Sequence, residues 1–167
     1  MTISSKLGAS FDQVKDQIKI KPITLTIGEA TFTLRVRVPV KREMEQMVEA
    51  ITNPPPETID AAYKRFSQPI LEAVKEGGEA VAEAGKLQIK DDDLIMDGTS
   101  VRQVATFTAM WETKVQRYFG LLQSETDDPI TETYDQIAEE FPESVIKQII
   151  EEIEAAVRPD YKSAKKN

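Results

Sequence analysis

Four aspartates, Asp91, Asp92, Asp93 and Asp97, form the densest group of possible hard-cation ligands in this chain of 167 residues. In an EF-hand loop, oxygen ligands recur at fixed positions around a glycine at the sharp central turn. With Gly98 in that role the first ligand is Asp93, but the third falls on Ile95 and the last on Val104. Neither side chain can bind calcium, so the group is expected to be a solvated acidic loop. Glu139-Glu140 and Glu151-Glu152 fall on expected helices as wet faces. None of these carboxylates is set beside another in an apolar pocket, as general acid–base work requires.

The rest of the catalytic inventory is thin. The chain has no histidine and no cysteine. This removes the commonest general base, the commonest zinc ligand, thiolate chemistry and disulfides. No GxxxxGK[ST], GxGxxG or GxSxG occurs, so the usual phosphate cradles and the strand-to-helix nucleophile turn are missing. No catalytic, cofactor-binding or metal-binding residue is expected, and no enzyme activity.

With no chemistry to position, the elements themselves must carry the function. The most pronounced helical signal lies in the acidic C-terminal helices expected over 129–158, split by Phe141-Pro142. Val145, Ile149, Ile153 and Val157 recur four apart with Ile146 and Ile150 beside them, opposite Glu143, Glu151, Glu152 and Glu154. Side chains four apart stack on one helix face, so this face must dock on the chain's own core or on a partner. The expectation is a shared role, with Val145, Ile149 and Ile153 inward and Ile146 and Ile150 at the edge as candidate partner-binding residues.

Earlier in the chain, Phe11, Val14 and Ile18 suggest a short N-terminal helix. Ile23, Leu25 and Ile27 then alternate with polar residues, as do Phe32, Leu34, Val36 and Val38, around Gly28-Glu29. This spacing predicts a β-hairpin over 22–38 with a type II′ turn, its polar face carrying four threonines with Arg35 and Arg37. A helical body comes next, over 41–122. Met44 and Met47 lie on one side of its first helix, and such pairs also serve adaptable binding surfaces, so both are candidate partner contacts. Asn53-Pro54-Pro55-Pro56 reads as a stiff spacer, after which Ile59, Tyr63 and Phe66 point inward and Pro69 interrupts or kinks the helix. Gly77-Gly78 should weaken the helix-prone EAVAEAGK beyond it. Leu87 and Ile89 are expected to add a strand to the hairpin, and Leu94-Ile95-Met96 another short strand. Ser100 is the expected N-cap of a core helix over about 101–122, with Val104, Phe107, Trp111, Val115, Phe119 and Leu122 inward. Ser124–Pro129 reads as an acidic linker, and a short basic tail spans 159–167.

The fold class expected is α+β: a single domain, mostly helical, with a small antiparallel hairpin or sheet near the N-terminus and five or six helices. Charge is uneven, with net +5 over 1–42, −16 over 43–157 and +3 over the last ten residues, for a total of −8. The acidic balance argues against nucleic acid as a partner. No apolar run reaches membrane-spanning length and no signal-peptide core opens the chain, so a membrane partner is not expected and a cytoplasmic protein is.

The phrase PITLTIGEATFTLRVRVP leading into KREMEQMVEAI, the long helix opened by DGTSVRQVA and ending RYFGLL, and the acidic stretch DDPITETYDQIAEEFPESVIKQIIEEIEAAVRPDY before SAKKN together resemble the tail assembly chaperones of long-tailed, siphovirus-like bacteriophages. The likeness is one of layout along most of the chain. It implies a non-catalytic protein of the host cytoplasm that binds and solubilises the tape measure protein, with the major tail protein as a second partner. It also implies self-association and absence from the mature virion. The alternative is a structural minor tail or capsid-associated protein retained in the particle. Many members of that family are made in two lengths by a programmed frameshift, and Lys166-Asn167, which AAA-AAC can encode, is expected to lie at such a slip site, with this chain the short form ending just past it.

Overall fold

The computed structural model describes residues 2–158, with the side chains of residues 15–18 excluded. The basic tail, the slip-site expectation at Lys166-Asn167 and the side chain of Ile18 on the expected N-terminal helix therefore fall outside the described residues. In chain order the elements begin with α1 (Ile3–Lys6), α2 (Ala9–Lys19), β1 (Ile20–Ile27), β2 (Ala30–Arg37) and α3 (Lys41–Thr52). They continue with α4 (Pro56–Ala84), β3 (Leu87–Lys90), β4 (Asp93–Met96), β5 (Thr99–Ser100) and α5 (Val101–Phe119). The last are β6 (Leu122–Gln123), α6 (Tyr134–Glu140) and α7 (Glu143–Val157). The fold is α+β, 61% helical, with two three-stranded antiparallel sheets among the described residues. Where one unit was expected, the chain divides into two, Met1–Gln46 with Val115–Asn167 and Met47–Lys114. No helix among the described residues is long and apolar enough to cross a membrane.

In the first unit the hairpin forms in the register its alternation dictates, with Ile23 opposite Leu34, Leu25 opposite Phe32 and Ile27 opposite Ala30. Gly28 alone of the two loop residues has a positive φ, 61°, the pattern of the expected type II′ turn, whose twist matches that of the strands. The third strand is not Leu87–Ile89 but β6, which pairs Val36 with Leu122. Leu122 is thus a strand residue, because α5 stops at Phe119 and Gly120 begins the turn into β6.

The helix α7 packs against β1 and runs antiparallel to it. Gln148 Nε2 donates to the Thr26 carbonyl at 2.8 Å near one end, and Lys21 Nζ to the Ala156 carbonyl at 3.0 Å near the other. The core of this unit holds Ile23, Leu25 and Val36 from the sheet with Ile146, Ile149, Ile150 and Ile153 from α7. Full burial of each branched side chain contributes about 1.5–3 kcal/mol. Tyr118 and Leu121 are also buried in this unit.

The arginines on the polar face of the hairpin are engaged within the chain. Arg35 pairs with Asp127 in the 124–129 turn. Arg37 donates to both carboxylate oxygens of Glu43, at 2.9 and 2.8 Å. The bidentate bond from Arg37 holds the Glu43 carboxyl below its ordinary range, and Glu43 in turn raises Arg37. A depressed carboxyl stabilises the fold above its unfolded pKa, and that stability is lost as pH falls through the folded value. Glu43→Gln should therefore cost at most about 1 kcal/mol at neutral pH, as expected for a half-exposed pair, and nothing at pH well below the glutamate range. Urea titrations at the two pH values check this, and an equal loss at both would contradict it.

In the second unit β3, β4 and β5 form a meander of two tight hairpins, in place of the strand expected to join the first sheet. Asp91 and Asp92 link β3 to β4 with φ of 53° and 59°, and Asp97 and Gly98 link β4 to β5 with φ of 48° and 80°. Two consecutive positive φ values define type I′ turns, a conformation that Asp and Gly tolerate better than other residues. These aspartates are turn residues, and the two-residue connections pair β3 with β4 and β4 with β5. Tyr63 of α4 anchors the meander: its hydroxyl accepts from Leu94 N at 3.0 Å and donates to the Asp92 carbonyl at 3.3 Å.

Several inward positions expected in α4 and α5 are corrected by this unit. Ala62 and Ser67 are the buried residues of α4, while Phe66 and Leu71 are exposed. On α5 the buried stripe opens with Val101, Ala105 and Ala109, leaving Val104 exposed and Phe107 at 61%. The stripe rejoins the expected one at Val115 and Phe119. The buried face of α5 thus runs through the small residues Ala105 and Ala109, and the larger Val104 and Phe107 beside them are turned outward. Arg102 and Arg65 of these helices reach Asp60 at 3.2 Å and Glu112 at 2.6 Å, and the Arg102 guanidinium lies 4.3 Å from the centre of the Tyr63 ring. Pro69 does not interrupt α4. The break falls at Gly78, whose φ of 67° and ψ of −154° are open almost only to glycine.

Candidate functional site

Helix α7 packs against β1, and the part of the hairpin's apolar face that it leaves uncovered makes a groove in the first unit. Leu25 and Leu34 lie at its base, while Ile27 at 37% and Phe32 at 49% exposure carry it out to the hairpin tip. Phe119 and Leu122 line it from the end of α5 and from β6, and Val145 and Ile149 from the first turns of α7. Opposite the hairpin stands α6, contributing Ile137 and the following Phe141. The volume is about 420 Å³, within the size range of ordinary binding clefts. The polar side chains on its border are Glu132, Gln136 and Glu140.

Local sequence explains why α6 stands there. Thr133 and Gln136 form a reciprocal capping box, which satisfies two of the first-turn N–H groups and fixes where the helix begins. Gln116 Oε1 of α5 accepts from Tyr134 N at 3.2 Å. Phe141 ends the helix and its ring meets Phe119 with centroids 6.3 Å apart and a tilt of 48°, a favoured aromatic geometry. The seven-residue helix is thus held at both ends and presents one apolar side, where Ile137 is buried. The short acidic segment before it, 124–129, is a closed turn: Ser124 Oγ accepts from Thr126 N at 3.2 Å and Asp128 N at 3.1 Å.

The candidate partner-binding residues divide differently from expectation. Ile146 and Ile150 are 4% and 2% exposed, so they lie in the packed core and are not available at the edge. The helix is rotated so that Val145, expected inward, is the half-exposed residue at the groove. Met47 is buried in α3 and Met44 is half-buried, and neither lines the groove. Phe32, Ile130 and Phe141 belong to the site, although the residue pattern does not mark them as binding residues. The available signal is the two-stranded apolar face, wider than the one helix that packs against β1.

No nucleophile stands beside a base in this lining, and among the described residues no group of three or more Asp or Glu is placed to hold a metal ion. What the surface can do physically is bury apolar side chains, with carboxylates at its border that favour a positively charged flank. Comparisons with models of protein families, with curated proteins and with solved structures gave no match.

Proposed function

We propose that this protein is an assembly chaperone that holds an apolar helical segment of another protein in the groove between the hairpin tip, α6 and the start of α7. Following the resemblance in the sequence, the partner is a phage tape measure protein, bound in the host cytoplasm and released before the virion matures. The observation that carries this reading is an open cleft lined by apolar side chains, with Glu132, Gln136 and Glu140 as its polar border. Long helical partners with exposed apolar stripes aggregate unless those stripes are covered, and helix-in-groove binding reads anchors spaced three or four apart. The acidic body, −16 over 43–157, keeps such a complex dispersed by like-charge repulsion.

The test is co-purification with the tape measure protein encoded in the same genome, comparing the natural chain with Phe32→Asp/Val145→Glu. Both side chains reach solvent, so the double variant should keep its circular dichroism and unfolding midpoint within a few degrees. It should lose capture, because a charge would replace each apolar contact and burying an unpaired charge is costly. Undiminished capture by the folded variant would sink the groove assignment. Abundant, stoichiometric presence of the chain in purified virions would sink the chaperone reading in favour of a structural component.

A further inference from the structure

The two long strands of the first sheet differ in how their outer edges are closed. In an antiparallel pair, successive residues turn their N–H and C=O groups alternately toward the neighbouring strand and away from it. Arg37 N donates to the Leu121 carbonyl at 2.7 Å, so the odd-numbered residues of β2 turn away from β1. Strand β6 takes up that edge only as far as Arg35, which stands opposite Gln123. Nearer the hairpin tip Thr31 and Thr33 are exposed. Among the described residues no backbone hydrogen bond meets their outward N–H and C=O groups. The outer edge of β1 is guarded: Pro22 has no N–H to offer, and the Thr26 carbonyl accepts from Gln148 Nε2 at 2.8 Å. Proteins blunt exposed edges with such devices, and the Thr31–Thr33 stretch carries neither. It also adjoins the groove, since Phe32, between the two threonines, turns its side chain to the groove face with Ile27 and Leu34. The surroundings are acidic, with Glu29 at the tip, Glu125 in the turn beyond Gln123, and Glu132 and Glu140 on the groove border.

We propose that the Thr31–Thr33 edge of β2 takes up a short extended segment of a partner protein as an added strand in line with β6. The segment it fits alternates apolar and polar residues and carries lysine or arginine at its flanks. Backbone bonds to Thr31 and Thr33 hold the segment whatever its sequence, as in other strand additions. Its side chains alternate between the two faces of the sheet, so every second one lies on the groove face beside Phe32, which selects the apolar positions. The acidic surroundings select the basic flanks. A second copy's hairpin does not fit this edge. An eight-residue β2 centred on Phe32 would run into β6 at Gln123 and into the closed 124–129 turn, whereas a short segment ends before them. The site stands apart from the helix-holding role proposed above, although both reach Phe32, because a helix satisfies its own backbone groups and makes no use of the free edge.

The experiment is a fluorescence anisotropy titration of the full-length chain against a labelled peptide of alternating valine and threonine with a lysine at each end. Thr33→Pro removes one outward N–H and blocks strand addition, and a proline is tolerated where the N–H of an edge strand faces solvent. Thr24→Pro is the matched control, because Thr24 stands directly across from Thr33 and its N–H faces the other edge. Circular dichroism and the unfolding midpoint check that both variants keep the hairpin. The natural chain and Thr24→Pro should bind the peptide alike, and Thr33→Pro should bind it at least about 10-fold more weakly. The same peptide with glutamate in place of its lysines should bind more weakly to the natural chain. Hydrogen exchange on the natural chain gives a readout that needs no variant: the Thr31 and Thr33 amides should exchange at least about 10-fold more slowly with the peptide bound. Equal binding by Thr33→Pro, equal loss in Thr24→Pro, or exchange at Thr31 and Thr33 that the peptide leaves unchanged would each overturn the proposal. So would a natural chain that ignores the peptide and instead pairs with its own copies through this edge. Capture of a helical partner should be unchanged in Thr33→Pro, so failure of the strand site and failure of the chaperone role are separable.

Discussion

Ile153→Ala should lower the unfolding free energy by about 2–5 kcal/mol, the cost of deleting a large side chain from a packed core. Ile153 is wholly buried, with Ile149 and Ile150 on the preceding turn of α7 and the apolar face of β1 beyond them. Its loss removes both its transfer energy and the contacts of the atoms around it, and the space left cannot collapse while α7 is tethered. The tethers are Gln148 to Thr26 and Lys21 to Ala156, on opposite ends of the packed strand. At a chain length near this one, each kcal/mol moves the melting temperature by roughly 2–4 °C. The matched control is Val145→Ala, on the same helix but half-exposed at the groove, expected to cost under about 1 kcal/mol because little burial is lost. Thermal melts followed by far-ultraviolet circular dichroism compare the two. Equal losses would mean that α7 is not oriented with Ile153 in and Val145 at the edge.

That contrast also marks how far the residue pattern alone could be read. Six apolar residues crowd one side of α7, and periodicity locates the face but not its centre to better than one residue's rotation. The centre is set by what the face rests on. Here β1 takes Ile146, Ile149, Ile150 and Ile153, which moves Val145 to the margin. The hairpin was legible throughout, because a period of two admits one register when one face is apolar. Helix α5 was legible as a helix and half legible as a packing surface. Aromatic bulk drew the expected stripe to Val104 and Phe107, while the buried face ran through Ala105 and Ala109. Alanine has too weak an apolar signal to announce a buried face. The groove was not legible at all as a site. It arises where three elements distant in sequence, the hairpin tip, α6 and the head of α7, leave a gap.

The acidic loop supplies the other large effect. Asp93→Ala should cost about 1.5–3 kcal/mol, the range for hydrogen bonds to a charged group, although residue type and spacing alone make it a solvated carboxylate. Asp93 Oδ1 accepts from the Arg102 backbone N–H at 3.0 Å, and its other oxygen accepts the Ser100 hydroxyl proton. Ser100 Oγ in turn accepts from Gln103 N at 3.0 Å, so it caps α5 as expected but is itself oriented by Asp93. One carboxylate thus satisfies an N–H of the first turn, aims the capping hydroxyl and places negative charge at the positive end of the helix dipole. It also ties β4 to α5, since Asp93 opens the strand. Asp91 and Asp92 have no comparable hydrogen bond among the described side chains and are exposed turn residues, so Asp92→Asn should change stability by under about 0.5 kcal/mol, as at ordinary surface positions. Asparagine tolerates the same left-handed conformation, which keeps the turn intact. Asp93→Asn separates charge from geometry, because its amide oxygen can still accept one of the two bonds. It should lie between the alanine variant and the natural chain, and added salt should narrow its deficit if the dipole term is real. Measured stabilities in which Asp92 and Asp93 variants lose equally would return the whole group to solvent and leave the start of α5 without its anchor.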